Sequence, residues 1–205
     1  MKYIKTYENY TTGTTLIVVD VQKSFRKFFT EMYIHELKKY CGQFESVYQI
    51  WDNHSEGKNV DKDYLYDDAP EIPINGDLYT FPNQKKLIEK RYNYDVDANF
   101  YKKILDKETY NLVKEKEDKK SLKRGEFFKT TGGTIIVYIG NRHNWFHCGK
   151  KLYSLFESLK GKDVTMVGGA SGECLTDLII TAQSLGVKVR QDFKYIYSAS
   201  HCPIK

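Results

Sequence analysis

Short apolar runs alternate along this chain with apolar residues in helical spacing. TLIVVDV, Thr15 to Val21, is mostly apolar and β-branched, the pattern of a strand covered on both faces, as in a parallel sheet. FRKFFTEMYIHELKKYC follows with apolar residues three and four apart and predicts an amphipathic helix. SVYQIWD, Ser46 to Asp52, predicts a second strand. Strand, helix and strand within about forty residues make one βαβ unit.

Residues 55–80 are dense in Gly, Asn, Asp and Pro and predict a long loop, a kind of segment that often carries function. KKLIEK, Lys85 to Lys90, predicts a short strand. Tyr101 to Arg124 is rich in Lys, Glu and Asp with spaced apolar residues, and predicts one or two exposed helices inserted on the core. TTGG, Thr130 to Gly133, is a turn, and TIIVYIG, Thr134 to Gly140, a strand. The pattern then alternates regularly. KKLYSLFESLK predicts a helix, DVTMVGG a strand, ECLTDLIITAQSLG a helix and VKVRQDF a strand. Gly186 stops the last helix just before the strand, the usual close of an αβ unit. The expectation is one α/β domain over 1–205, three layers (α/β/α) around a mainly parallel sheet, with a charged helical insertion at 101–133.

Composition narrows the classes without choosing one. The 205 residues suffice for one sizeable core, and 40% hydrophobic content fits a globular protein. The net charge of +5 comes from 32 basic residues interleaved with 27 acidic ones. That permits anionic partners but shows no nucleic-acid module, so no specific nucleic acid is expected. No run of about 18 apolar residues occurs, so no membrane span is expected, and MKYIKTYENYTTGTT lacks a signal core. Cys41, Cys148, Cys174 and Cys202 lie far apart and form no CxxC pair, which predicts free thiols in a reducing cytoplasm. Lys- and Tyr-rich usage suits a viral or AT-rich bacterial genome; for a virus, the compartment is the host cytoplasm. A homo-oligomer is compatible with all of this.

Candidate chemistry gathers at strand ends, where open parallel sheets bind ligands. Asp20 closes the first strand, Asp52 and His54 the second, Lys90 the third, and Cys174 opens a helix after VTMVGG. A helix N-terminus and a nearby Lys both favour thiolate. A carboxylate within reach can take the thiol proton and return it to a leaving group. Backbone N–H groups at the helix start can hold an oxyanion, and Gly168, Gly169 and Gly172 allow a sharp turn. The bland alternatives are a turn or cap carboxylate, a solvated lysine and a small buried cysteine.

LIVVDVQKSF resembles the first-strand motif of the isochorismatase-like cysteine hydrolases, and VTMVGGASGECLTDLIITAQSLGVKV resembles the nucleophile segment of the same family. The family includes nicotinamidases and has a parallel sheet flanked by helices. The resemblance covers about 45 residues, with both motifs in order. It implies Asp20 as general acid/base, Cys174 as nucleophile and Lys90 as the lysine that favours thiolate. It also implies the N–H groups of Ala170 and Cys174 as oxyanion hole, and a cis peptide at Gly169–Ala170. The turn reads ASGEC, where many relatives carry Thr and an acidic residue; here Ser171 and Gly172 stand in those places. Two placements of the lysine strand are open. One is KKLIEK with Lys90, which the strand, lysine, aromatic order of IEKRYNYDVDANF favours. The other is TIIVYIG, which leaves the lysine position near Gly140 empty.

The resemblance further implies a small-molecule amide substrate, cleaved in the manner of a nicotinamidase. A catalytically silent member that binds a partner through its inserted region is the alternative, and vinyl-ether hydrolysis a third reading. Phe25 and Trp145, the latter within RHNWFHCG, are the expected pocket residues. WDNH is similar to the Asp-x-His of the nicotinamidase metal site, so Asp52 and His54 are candidate ligands for a divalent metal such as zinc. No His follows in 55–80, so His143, His147 or His201 would have to complete the set. Otherwise Asp52 and His54 form a hydrogen-bonded turn.

Overall fold

A computed structural model describes residues 14–52, 78–90, 103–140 and 144–204. Its frame is a five-stranded sheet built from β1 (Thr15–Val19), β2 (Ser46–Asp52), β3 (Gln84–Lys90), β7 (Asp163–Gly168) and β8 (Lys188–Ile196). The order across the sheet is β3-β2-β1-β7-β8, and all four neighbouring pairs are parallel. Every residue of β1 is buried, as its β-branched run predicts for a central strand.

The side chains of β1 alternate between two cores. Leu16 and Val18 join Val47, Val167, Tyr195 and Tyr197 beneath α1 (Glu31–Cys41), which contributes Tyr33, Ile34, Leu37, Tyr40 and Cys41. Ile17 and Val19 face the opposite core with Ile50, Ile88, Val164 and Met166. There α3 (Lys150–Ser158) and α4 (Cys174–Ser184) cover the sheet. A fully buried aliphatic side chain contributes about 1.5–3 kcal/mol, so β1 is the strand on which both cores depend.

The segment 23–41 departs from the single predicted helix. A 3-10 helix over Lys23–Phe28 ends at Phe29, and α1 starts afresh after Thr30, whose hydroxyl caps the Tyr33 N–H at 3.1 Å. The Thr cap sets the boundary, because its side chain satisfies a donor that a continuous helix would have bonded to backbone.

The strand TIIVYIG forms β5 (Ile135–Tyr138), but not in the parallel sheet. It lies between β4 (Phe127–Lys129) and β6 (Trp145–Cys148) in a separate antiparallel sheet. Its burial on both faces explains why it reads like a strand of the parallel sheet. Ile135 and Val137 pack into the α3/α4 core, whereas Ile136 packs with Phe128, Trp145, Ile104 and Val113 of α2 (Lys107–Asp118). Both faces are covered, so the sequence reads like a parallel strand. With Ile104, Leu105 and Val113 buried, the region expected to be an exposed charged insertion holds a small core of its own.

Candidate active site

In a parallel sheet whose first strand feeds neighbours on both sides, the carboxyl ends of the two strands at the reversal diverge and leave a crevice. Here those strands are β1 and β7. Asp20 stands at the end of β1, and the turn leading to Cys174 stands at the end of β7.

Asp20 adopts a left-handed conformation, φ 53°, and is 1% exposed. Its N–H donates to the Ile50 carbonyl at 2.9 Å. Its carbonyl accepts from the Gln22 N–H at 3.1 Å and from the Tyr197 hydroxyl at 2.6 Å. The backbone thus leaves its strand direction abruptly, and three bonds fix the place where it turns.

The second half of the site is pinned to the first. Val19 O accepts from the Gly169 N–H at 3.0 Å. Gly168 has φ 101°, and a Cβ there would fall 2.0 Å from Val19 O. The next peptide, Gly169–Ala170, is cis, at the position the resemblance implies. Ser171 N–H donates to Tyr197 O at 2.9 Å, Gly172 N–H to Thr176 Oγ1 at 3.0 Å, and Glu173 N–H to Ala170 O at 3.0 Å. Cys174 is the first residue of the 11-residue helix α4 and is half-buried. A thiol at that point feels the positive end of the helix, which favours its ionised form. The first-turn amides, Cys174 N–H among them, project from the same helix end.

Lys90 closes β3, opposite Asp52 at the end of β2. It therefore sits at the same edge of the sheet as Asp20, with β2 between. The rival lysine strand, β5, lies outside this sheet. Phe25 belongs to the aromatic group beside the site: its ring is 6.3 Å from Phe28, which stacks at 11° on Tyr197. Trp145 is brought elsewhere, to the α2 cluster, with Phe128 and Tyr138 at 5.9 and 5.2 Å and its N–H on Glu117.

His54 and His143 lie outside the described residues. His147 is buried in the small sheet, its Nε2 2.8 Å from Thr134 Oγ1, and the His201 N–H donates to Ser198 Oγ in the tail. Among the described residues, no three His, Cys, Asp or Glu side chains gather as a metal site.

Sequence reasoning missed Tyr197. It is 1% exposed, with Phe28, Phe29 and Tyr33 rings around it. Burial first, then the Asp20 charge, raise the proton affinity of its hydroxyl, and Cys174 adds to this. Asp20 and Cys174 therefore both lie within electrostatic reach of one phenol. The available signal was the alternation of Tyr195 and Tyr197, which join one core past the predicted end of the last strand. The chain matches no known protein-family description, curated protein or solved structure.

Proposed function

We propose that the protein is a cysteine hydrolase of the isochorismatase-like kind, cleaving a small amide at Cys174. The observation that carries this reading is the junction of the Asp20 turn and the Cys174 turn at the reversal point of the sheet, joined directly by the Gly169–Val19 bond.

In this reading the Asp20 carboxylate takes the proton from the Cys174 thiol, and the sulfur attacks the carbonyl carbon. Ala170 and Cys174 N–H groups stabilise the oxyanion, a contribution typically of a few kcal/mol per donor. The C–N bond breaks as Asp20 returns the proton to the departing nitrogen, leaving a thioester. Water then attacks the thioester, giving one proton to Asp20. Collapse releases the carboxylic acid, and the proton returns to the sulfur. Lys90 acts by charge, holding the sulfur as thiolate. The aromatic group around Phe25 supports a flat, apolar part of the substrate.

The experiment compares parent and Cys174→Ala protein on a panel of small amides, nicotinamide included, with ammonia or amine release as readout. Loss of turnover to background in the variant is expected. Equal rates in the two proteins remove Cys174 from the mechanism, and no turnover by the parent across the panel removes the amidase assignment.

A further inference from the structure

Four contacts meet at Tyr197. Its hydroxyl donates to Asp20 O at 2.6 Å, and its own N–H donates to Gly168 O at 3.0 Å. Its carbonyl accepts from Ser171 N–H at 2.9 Å. Its ring lies against Gly169, where an added Cβ would come within 2.3 Å of a ring carbon. One buried residue just past β8 thus touches, through its side chain and main chain, the strand end that carries Asp20 and three residues, Gly168, Gly169 and Ser171, of the turn that leads to Cys174. Burial and the Asp20 charge both oppose ionisation of the hydroxyl and so favour the form that donates.

We propose that Tyr197 is a positioning residue whose hydroxyl and main chain hold the Asp20 turn and the Cys174 turn together as one unit. The proposal rests on the hydrolase reading only for its effect on reactivity; the coupling of the two turns stands on the contacts alone. Acting through Asp20, the phenol sets where the carboxylate sits relative to the sulfur. Acting through Gly168, Gly169 and Ser171, it sets the height of the turn from which the oxyanion amides project.

The test is Tyr197→Phe, which keeps the ring and removes the hydroxyl. Tyr33→Phe is the control: Tyr33 lies in the same aromatic group and donates to Tyr195 O at 2.8 Å, so it loses an equivalent buried bond while the Asp20 carbonyl keeps its partner. Hydrogen exchange followed by mass spectrometry reads residues 19–22 and 168–173. In Tyr197→Phe both segments exchange about tenfold faster, the scale of one lost buried hydrogen bond, and in Tyr33→Phe neither does. The midpoint of Cys174 alkylation by iodoacetamide moves to higher pH in Tyr197→Phe alone. Acceleration in only one segment, or equal acceleration in the control, overturns the coupling. Coupled exchange with an unmoved alkylation midpoint reduces Tyr197 to packing and overturns its positioning role. If Tyr197→Phe does not fold, the parent decides: exchange of the two segments across a denaturant series follows one common curve if they open as a unit and two separate curves if they do not. An ordinary thiol profile in the parent removes the hydrolase reading, and the exchange data still decide the coupling.

Discussion

Three glycines in the Cys174 turn stand in three different surroundings, and the difference predicts three different costs. At Gly168 a methyl group would meet main chain, 2.0 Å from Val19 O, at φ 101°. Main chain in a central parallel pair cannot yield, so Gly168→Ala costs more than about 3 kcal/mol or prevents folding. At Gly169 the obstacle is the Tyr197 ring at 2.3 Å, which must move and loosen its hold on Asp20. Gly169→Ala is expected to be intermediate, on the order of 1–3 kcal/mol as for overpacking. At Gly172 nothing lies within 4 Å, and only the left-handed φ of 79° opposes a side chain, so Gly172→Ala costs about 1–2 kcal/mol. Urea unfolding of the three variants checks the order. A Gly172 variant as damaged as the Gly168 variant would show that the turn is held differently. The motif spelling told us that this turn needs glycines. It could not tell what Gly168 and Gly169 avoid, because their neighbours, Val19 of β1 and Tyr197 just past β8, are distant in the sequence.

At the scale of elements, caps and ion pairs fix boundaries that periodicity leaves blurred. Thr30 both accepts from Tyr33 N–H at 3.1 Å and donates to Ile204 O at 3.0 Å, tying the start of α1 to the tail. Thr30→Ala should cost about 1 kcal/mol, the usual value of a lost N-cap, seen as a lower unfolding midpoint. Just before β4, Glu126 pairs with Lys116 of α2 at 2.6 Å. Partial burial raises the proton affinity of Glu126, but the bonds from Lys116 and the Lys123 N–H outweigh it, and its pKa lies below the ordinary 4.5. A depressed carboxylate stabilises the fold above its unfolded pKa and loses that contribution as pH falls through the lower folded value. Glu126→Gln should therefore lower Tm modestly at pH 7, and its difference from the parent should vanish as pH falls below about 4.5. An unchanged acid limb in the variant would assign acid sensitivity elsewhere.

The same scale shows how far the sequence could be read. β2, β7 and α4 begin and end within about two residues of their predicted limits, since each has one unambiguous period and a polar or Gly boundary. β8 runs on to Ile196, past the predicted Phe193, because Tyr195 and Ile196 are buried against opposite faces by partners from β7 and α1. β6 was not anticipated: WFHC is too short to show a period, and only pairing with β5 makes it a strand. Of the candidate site, Asp20 and Cys174 were legible because each sits where a strong apolar run stops. Tyr197 was not, since a tyrosine among seventeen signals nothing until its hydroxyl has a partner.

For the whole molecule, the four thiols report on different depths. Cys148 and Cys41 are buried, and burial raises both pKa values, that of Cys41 to about 12. Cys174 and Cys202 are partly accessible. Limited alkylation of native protein should label Cys174 and Cys202, while Cys41 and Cys148 become labelled only with global unfolding. Peptide mapping after a short iodoacetamide pulse distinguishes the sites. Early labelling of Cys148 would mean that the small antiparallel sheet opens apart from the parallel one, although its Ile135, Val137 and Phe146 are built into the larger core.

The hydroxyl bond between Tyr197 and Asp20 spans 177 positions of the chain. Closing so long a loop is entropically expensive and must wait for everything between to exist. On the ribosome, β1, β2 and β3 are made early, yet the junction of the two turns is incomplete until β7 and the residues after β8 emerge. Half-made chains therefore carry the Asp20 turn without the turn that leads to Cys174, and the two can meet only once β7, α4 and Tyr197 have been made.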